Sequence, residues 1–196
     1  MSDYFVGLDL GCVVDYTAVT VLEKLEKRGE QSEYHVRHLE RLRLGTPYPS
    51  IVEYVTKLIQ TPQLKGKTHL IVDATGIGAP VVDMFKKAGL ALIAITITGG
   101  DSVTGSDYEG YHVPKRDLVG ILQVLFQSGR LKVAEALPMA KVFIDELLNF
   151  KVKINIQTAH DSYEAWREGV HDDLVLSVAL VAWYAAGKRA RPLLIG

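Results

Sequence analysis

Three apolar stretches of this chain each stop at, or start from, an aspartate. Tyr4-Phe5-Val6-Gly7-Leu8 ends at Asp9, and His69-Leu70-Ile71-Val72 ends at Asp73. Asp172 and Asp173 open the long segment from Leu174 to Ala186. A carboxylate at the end of a buried element costs desolvation free energy unless a cation compensates it. Such a chain is best satisfied by a fold that packs the three elements side by side and lets their carboxylates share that cation. Oxygen-only ligands favour a hard ion, which makes Mg2+ or Mn2+ the expected partner.

The remaining elements supply a frame in which those three can meet. With 196 residues, 48% of them hydrophobic, the chain can bury one core and has little room for a second. Tyr4 to Leu10 reads as a buried strand and Thr17 to Leu25 as a β-branched second strand. Tyr34 to Leu44, where Val36, Leu39, Leu42 and Leu44 alternate imperfectly with charged residues, reads as a third. Pro47 and Pro49 start a helix that Pro62 stops, and Thr68 to Asp73 is a strand. Pro80 to Ala88 is a helix closed by Gly89, and Leu90 to Thr98 a continuous apolar strand of the type buried on both faces. Gly99 to Gly110 reads as a mobile polar loop. Helices are expected from Pro114 to Gln127 and from Ala136 to Phe150. Lys151 to Gln157 and Tyr163 to Arg167 then pair as a β-hairpin, and the last helix starts near Asp172.

The order β-β-β-α-β-α-β followed by helices predicts an α/β, ribonuclease-H-like fold. It would have a central mixed five-stranded sheet flanked by helices, with an extra β-hairpin before the last helix. In such a sheet the first strand is central and the fourth lies beside it. Asp9 and Asp73 would then be neighbours, with the N-terminus of the last helix aimed at them.

Several classes of function are set aside by composition and motif. The net charge of -1 neither announces nor excludes a polyanion partner. A single Cys12 rules out an internal disulfide framework, fits a reducing compartment and argues against a cysteine zinc site. No secretory signal is visible, and the run from Leu174 to Ala186 falls short of the ~20 residues that cross a bilayer. A soluble intracellular domain without a membrane partner is expected. No Gly-x-x-x-x-Gly-Lys-Ser/Thr stretch occurs, and Val81 stands where the third glycine of a dinucleotide fingerprint belongs. An actin-like or sugar-kinase-like ATP-binding domain remains an alternative, since such proteins also open with a Gly-x-Asp-x-Gly turn. A non-catalytic DNA-binding module of the same fold is another.

In two-metal phosphodiester hydrolysis, a pair of ions about 4 Å apart activates a water and stabilises the leaving oxygen. Asp9, on the innermost strand, is the best candidate to bridge them, with Asp73 and one or both of Asp172 and Asp173 completing the shells. Asp15 could reach the site from the following turn, or simply shape that turn. Lys115 and Arg116, just after the polar loop, could hold a phosphate or a water, or be a solvated helix start. His171 could orient a water or contact the scissile phosphate, or simply be a loop histidine before a helix. Lys151, Lys153, Trp166 and Arg167 share the expected hairpin, where cations beside aromatics suit contact with DNA.

Gly7-Leu8-Asp9-Leu10-Gly11 followed by Asp15-Tyr16-Thr17-Ala18, then Val72-Asp73-Ala74-Thr75-Gly76-Ile77-Gly78, then Tyr163-Glu164-Ala165-Trp166 and His171-Asp172-Asp173 form an ordered set spanning nearly the whole chain. That set resembles the nuclease domain of the large terminase subunit of tailed bacteriophages. The resemblance implies an endonuclease, related to Holliday-junction resolvases, that cuts concatemeric viral double-stranded DNA during genome packaging. It implies two Mg2+ or Mn2+ ions at Asp9, Asp73, Asp172 and Asp173, with Asp15 as an accessory ligand. It also implies partnership with the terminase ATPase domain, small subunit and portal, in the cytoplasm of an infected host cell. The family's packaging ATPase has no counterpart here. Residues 1–196 are therefore read as a single nuclease domain, either the C-terminal part of such a protein or a free-standing nuclease.

Overall fold

The computed structural model describes residues 2–11, 15–76, 78–149 and 172–187. The chain opens with a meander of β1 (Ser2–Asp9), β2 (Ala18–Leu25) and β3 (Glu33–Arg41). It continues through α1 (Tyr48–Ile59), β4 (Thr68–Asp73), α2 (Gly78–Lys87) and β5 (Leu92–Thr98). Then come β6 (Thr104–Ser106), β7 (Gly110–Pro114), α3 (Lys115–Gln127), β8 (Leu131–Val133), α4 (Ala140–Asn149) and α5 (Asp173–Gly187).

The strands form one sheet in the order β6-β7-β5-β4-β1-β2-β3-β8. The meander is antiparallel, whereas β4, β5 and β7 join it parallel to β1. Four neighbouring strands therefore finish at the same border, the arrangement in which open α/β sheets present their functional crevice. Strand pleating divides the apolar side chains between two layers. Phe5, Leu22, Leu39, Ile71 and Ile95 face α3, α4 and α5, while Val6, Leu8, Val19 and Val72 face α1 and α2.

Helix α5 is apolar on nearly all sides because it lies across the middle of the sheet and is covered by α3 and α4. A Cβ on Gly7 would sit 2.3 Å from the Ser177 carbonyl oxygen and 2.8 Å from Val181 Cγ1, so the missing side chain lets helix and strand backbones touch. Thr20 and Ser177 hydroxyls lie 2.6 Å apart in this seam. At the other end of the helix, buried Lys24 donates from Nζ to the Ala185 carbonyl at 3.0 Å, satisfying a helix end of negative polarity. The N-terminus of α5 is thereby directed to the border where β1 and β4 end.

The expected meander, the two βα units and the final helix are all present. The sheet differs in size: among the described residues it has eight strands, not five. Three of its members are short. The stretch read as a mobile loop contains β6, and Gly110 already begins β7, which pairs with β5 from Ile95 to Thr98. β8 pairs with Tyr34 to Val36 at the opposite border. Burial alternates along β5 instead of covering both faces, β3 ends at Arg41 rather than Leu44, and α4 begins only after Pro138. The expected hairpin at 151–167 lies outside the described residues. Among the described residues no helix is long and apolar enough to cross a membrane.

Candidate metal centre

The parallel register of β1 and β4 pairs Leu8 with Val72, so Asp9 and Asp73 follow side by side at the ends of adjacent strands. Neighbouring strands run about 4.8 Å apart, so the two carboxylates leave the sheet from adjacent strand ends, and the charge of Asp73 acts on Asp9. Asp73 is 8% exposed, and its Oδ1 accepts the Thr75 N–H at 2.7 Å. The Thr75 hydroxyl in turn accepts the Ile97 N–H of β5 at 2.8 Å, tying the turn after β4 to the next strand. Gly11 shapes the turn after Asp9: a Cβ there would strike the Asp15 and Tyr16 carbonyls at 2.2 and 2.5 Å. Its N–H donates to Thr17 Oγ1 at 3.2 Å.

Asp172 precedes α5, its carbonyl accepting the Leu176 N–H at 2.9 Å, and Asp173 is buried in the first turn. Lys115, at the head of α3 where β7 ends, reaches Asp172 Oδ2 at 3.2 Å. Burial pushes the Asp9 carboxyl well above the ordinary carboxylate range, and the charges of Asp73, Asp173 and Asp172 push the same way, against Lys115. Burial also raises Asp73, opposed by its bonds to Thr75 and by Lys115. The four aspartates thus act on one another electrostatically across three separate elements.

Two residues that carried no sequence signal of their own complete the cluster. Arg41 ends β3 on the rung that runs Asp9, Ala18, Arg41. Its Nη2 donates to Glu146 of α4 and lies 3.2 Å from Asp173 Oδ2. Burial raises the Glu146 pKa to about 7, with Arg41 and the Val175 N–H pulling the other way. The register with Asp9 was the one available hint for Arg41. Glu146 sits in an amphipathic helix, where a carboxylate ordinarily reads as solvated.

Asp15 is exposed. Arg116 is turned to the preceding loop, donating to Asp101 Oδ1 at 2.6 Å and to its carbonyl at 2.8 Å. Lys151, Lys153, Trp166, Arg167 and His171 lie outside the described residues. Among the described residues no group of three carboxylate, imidazole or thiol side chains already stands as a finished cage for an ion. Asp172 and Asp173 instead lean toward Lys115 and Arg41. Among the described residues the donors are carboxylate oxygens, crowded enough to raise Asp9, and such a set fits a hard dication.

Strand order, parallel core and flanking helices define a ribonuclease-H-like fold. More particularly, it is the fold of terminase nuclease domains. The large terminase nuclease of thermophilic phage G20c, with bound zinc, is 23% identical with a TM-score of 0.61, over 94% of this chain and 81% of that one. The human cytomegalovirus terminase nuclease domain, soaked with manganese, is 12% identical with a TM-score of 0.57, over 95% of this chain and 85% of that one. The large terminase of another thermophilic bacteriophage is 14% identical with a TM-score of 0.52, over 74% of this chain and 31% of that longer one. At these identities what is shared is the fold. No family model and no curated protein matches the sequence.

Proposed function

We propose that this chain is a divalent-metal-dependent endodeoxyribonuclease of the terminase type, cutting double-stranded viral DNA during genome packaging. One observation carries the reading: Asp9 and Asp73 end adjacent parallel strands in the same register, and the charges of Asp172 and Asp173 at the head of α5 act on Asp9. The zinc bound by one similar nuclease and the manganese soaked into another support a divalent ion in general. Terminase ATPase, small subunit and portal would be its partners.

Asp9, flanked on both sides, would be the shared ligand of two Mg2+ or Mn2+ ions, with Asp73, Asp172 and Asp173 as the others. Bound divalent ions would neutralise this crowd, acidify an attacking water and stabilise charge on the departing oxygen. The chain's own part is to hold its carboxylates at one border of a rigid sheet, where bound cations would offset the burial and mutual repulsion that raise Asp9 and Asp73. Thr75 holds Asp73 in place through the backbone. Lys115 offers an ammonium group from the same border to a phosphate oxygen. Hydrolysis would join the water oxygen to phosphorus while the bond to the 3′-oxygen breaks, a water proton ending on that oxygen. Lys151, Lys153, Trp166, Arg167 and His171 are the proposed grip on DNA.

Plasmid digestion with Mn2+ and with Mg2+, with Asp9→Asn and Asp73→Asn in parallel, tests the proposal. Cleavage by the wild type that both variants lose by orders of magnitude is expected. Uncut plasmid that is nevertheless retained would favour a DNA-binding module, and full cleavage by Asp9→Asn would overturn the assignment.

A further inference from the structure

Arg41 links three elements around Asp173. From the end of β3 its guanidinium meets Glu146 of α4 and Asp173 of α5, and it lies 5.0 Å above the Tyr16 ring. Glu146 closes the loop by accepting the Val175 N–H, in the first turn of α5, through Oε2 at 3.2 Å. The Arg41 side chain is 17% exposed, and its Nε is buried with no hydrogen bond among the described residues. A buried cation between two carboxylates gains little stability over an apolar trio of the same volume, and an unmet donor gains less. Such a cluster is better explained by what it orients.

Resting on the metal-centre reading above, we propose that Arg41 is a positioning residue. It fixes the Asp173 carboxylate and the head of α5 relative to Asp9, two strands away on the same rung, and so sets the affinity of the centre for divalent ions. The planar fork matters as much as the charge. A lysine ammonium would keep the charge but could not serve Glu146, Asp173 and the Tyr16 face from one place.

The test is calorimetric titration of Mn2+ into the wild type, Arg41→Lys and Arg41→Gln, with Asp9→Asn as the reference for lost binding. Circular dichroism in chelator verifies the fold of each. Both Arg41 variants should bind Mn2+ about tenfold or more weakly, the usual effect of removing a group that orients a ligand. In plasmid cleavage kcat should fall while KM for DNA stays the same. Should Arg41→Gln not fold, Arg41→Lys and the milder Glu146→Gln, which keeps an acceptor toward Arg41, decide the matter. Wild-type affinity in Arg41→Lys would show that charge alone suffices and overturn the inference. Tighter binding in either Arg41 variant would show that the arginine competes with the ion, and would overturn it equally. A wild type that binds no Mn2+ would remove the metal-centre reading itself and this inference with it.

Discussion

Replacing Gly7 by alanine would separate the strand that carries Asp9 from the helix that carries Asp172 and Asp173. The new Cβ would lie 2.3 Å from the Ser177 carbonyl oxygen, whereas real Cβ contacts essentially never fall under 3.0 Å. The Val181 methyl can turn aside, but a helix carbonyl cannot, so α5 must withdraw from β1 by roughly 0.7 Å. Overpacking of this kind costs about 1–3 kcal/mol. At about 2–4 °C per kcal/mol for a domain of this size, the melting midpoint in chelator should fall by roughly 2–12 °C. Catalysis should suffer more than stability, because a misplacement of about 1 Å can cost about a hundredfold in rate. The assay is thermal melting by circular dichroism, together with Mn2+-dependent plasmid nicking at a temperature where both proteins are folded. Gly120→Ala is the control: nothing lies within 4 Å of its Cβ position in α3, so helix propensity should stabilise it by up to about 1 kcal/mol. A Gly7→Ala protein that melts with the wild type and nicks at the same rate would refute the close-approach argument.

Other consequences can be measured directly. Asp9→Asn removes the carboxylate that burial and three like charges push up, so in chelator it should melt higher than the wild type, while Mn2+ should raise the wild-type midpoint and leave the variant's unchanged. Glu146, pushed up to about 7 from its ordinary 4.5, holds its proton more tightly folded than unfolded. Its contribution to stability is complete below 4.5 and is lost as pH rises through about 7, so melting midpoints in chelator should fall across that window and Glu146→Gln should flatten the slope. DNA retention should weaken by orders of magnitude between about 50 and 200 mM salt, as phosphate-dominated binding requires, and a filter-binding series checks it.

The part of the molecule legible in the sequence is the part where local pattern and global position coincide. β1 and β4 are buried on both faces and end in aspartates, so their apolar runs mark their length and their last residues mark the candidate site. α5 is apolar all round and could only be central. The strands β6 and β8 escape because three residues show no periodicity, and their pairing is decided by what the neighbouring strand leaves open. Arg41 and Glu146 escape for a different reason. Each stands among charged residues, Arg37, Glu40 and Arg43 around the one and Lys141 and Asp145 near the other, where a solvated reading is natural. Only the lateral order of strands brings the end of β3 to the rung of Asp9 and α4 beneath α5.

The narrow borders of the sheet also bear on how copies of this chain meet. A sheet margin is a row of unpaired amides and carbonyls that can recruit a strand from another molecule. Among the described residues one margin is Thr104–Ser106 and the other Leu131–Val133, each too short to template such growth. Where the second stops short of the end of β3, Arg37, Glu40 and Arg41 make the rest of that strand charged. Among the described residues the sheet therefore guards its margins against edge-to-edge pairing by shape and by charge together, a protection that matters most where many copies are crowded.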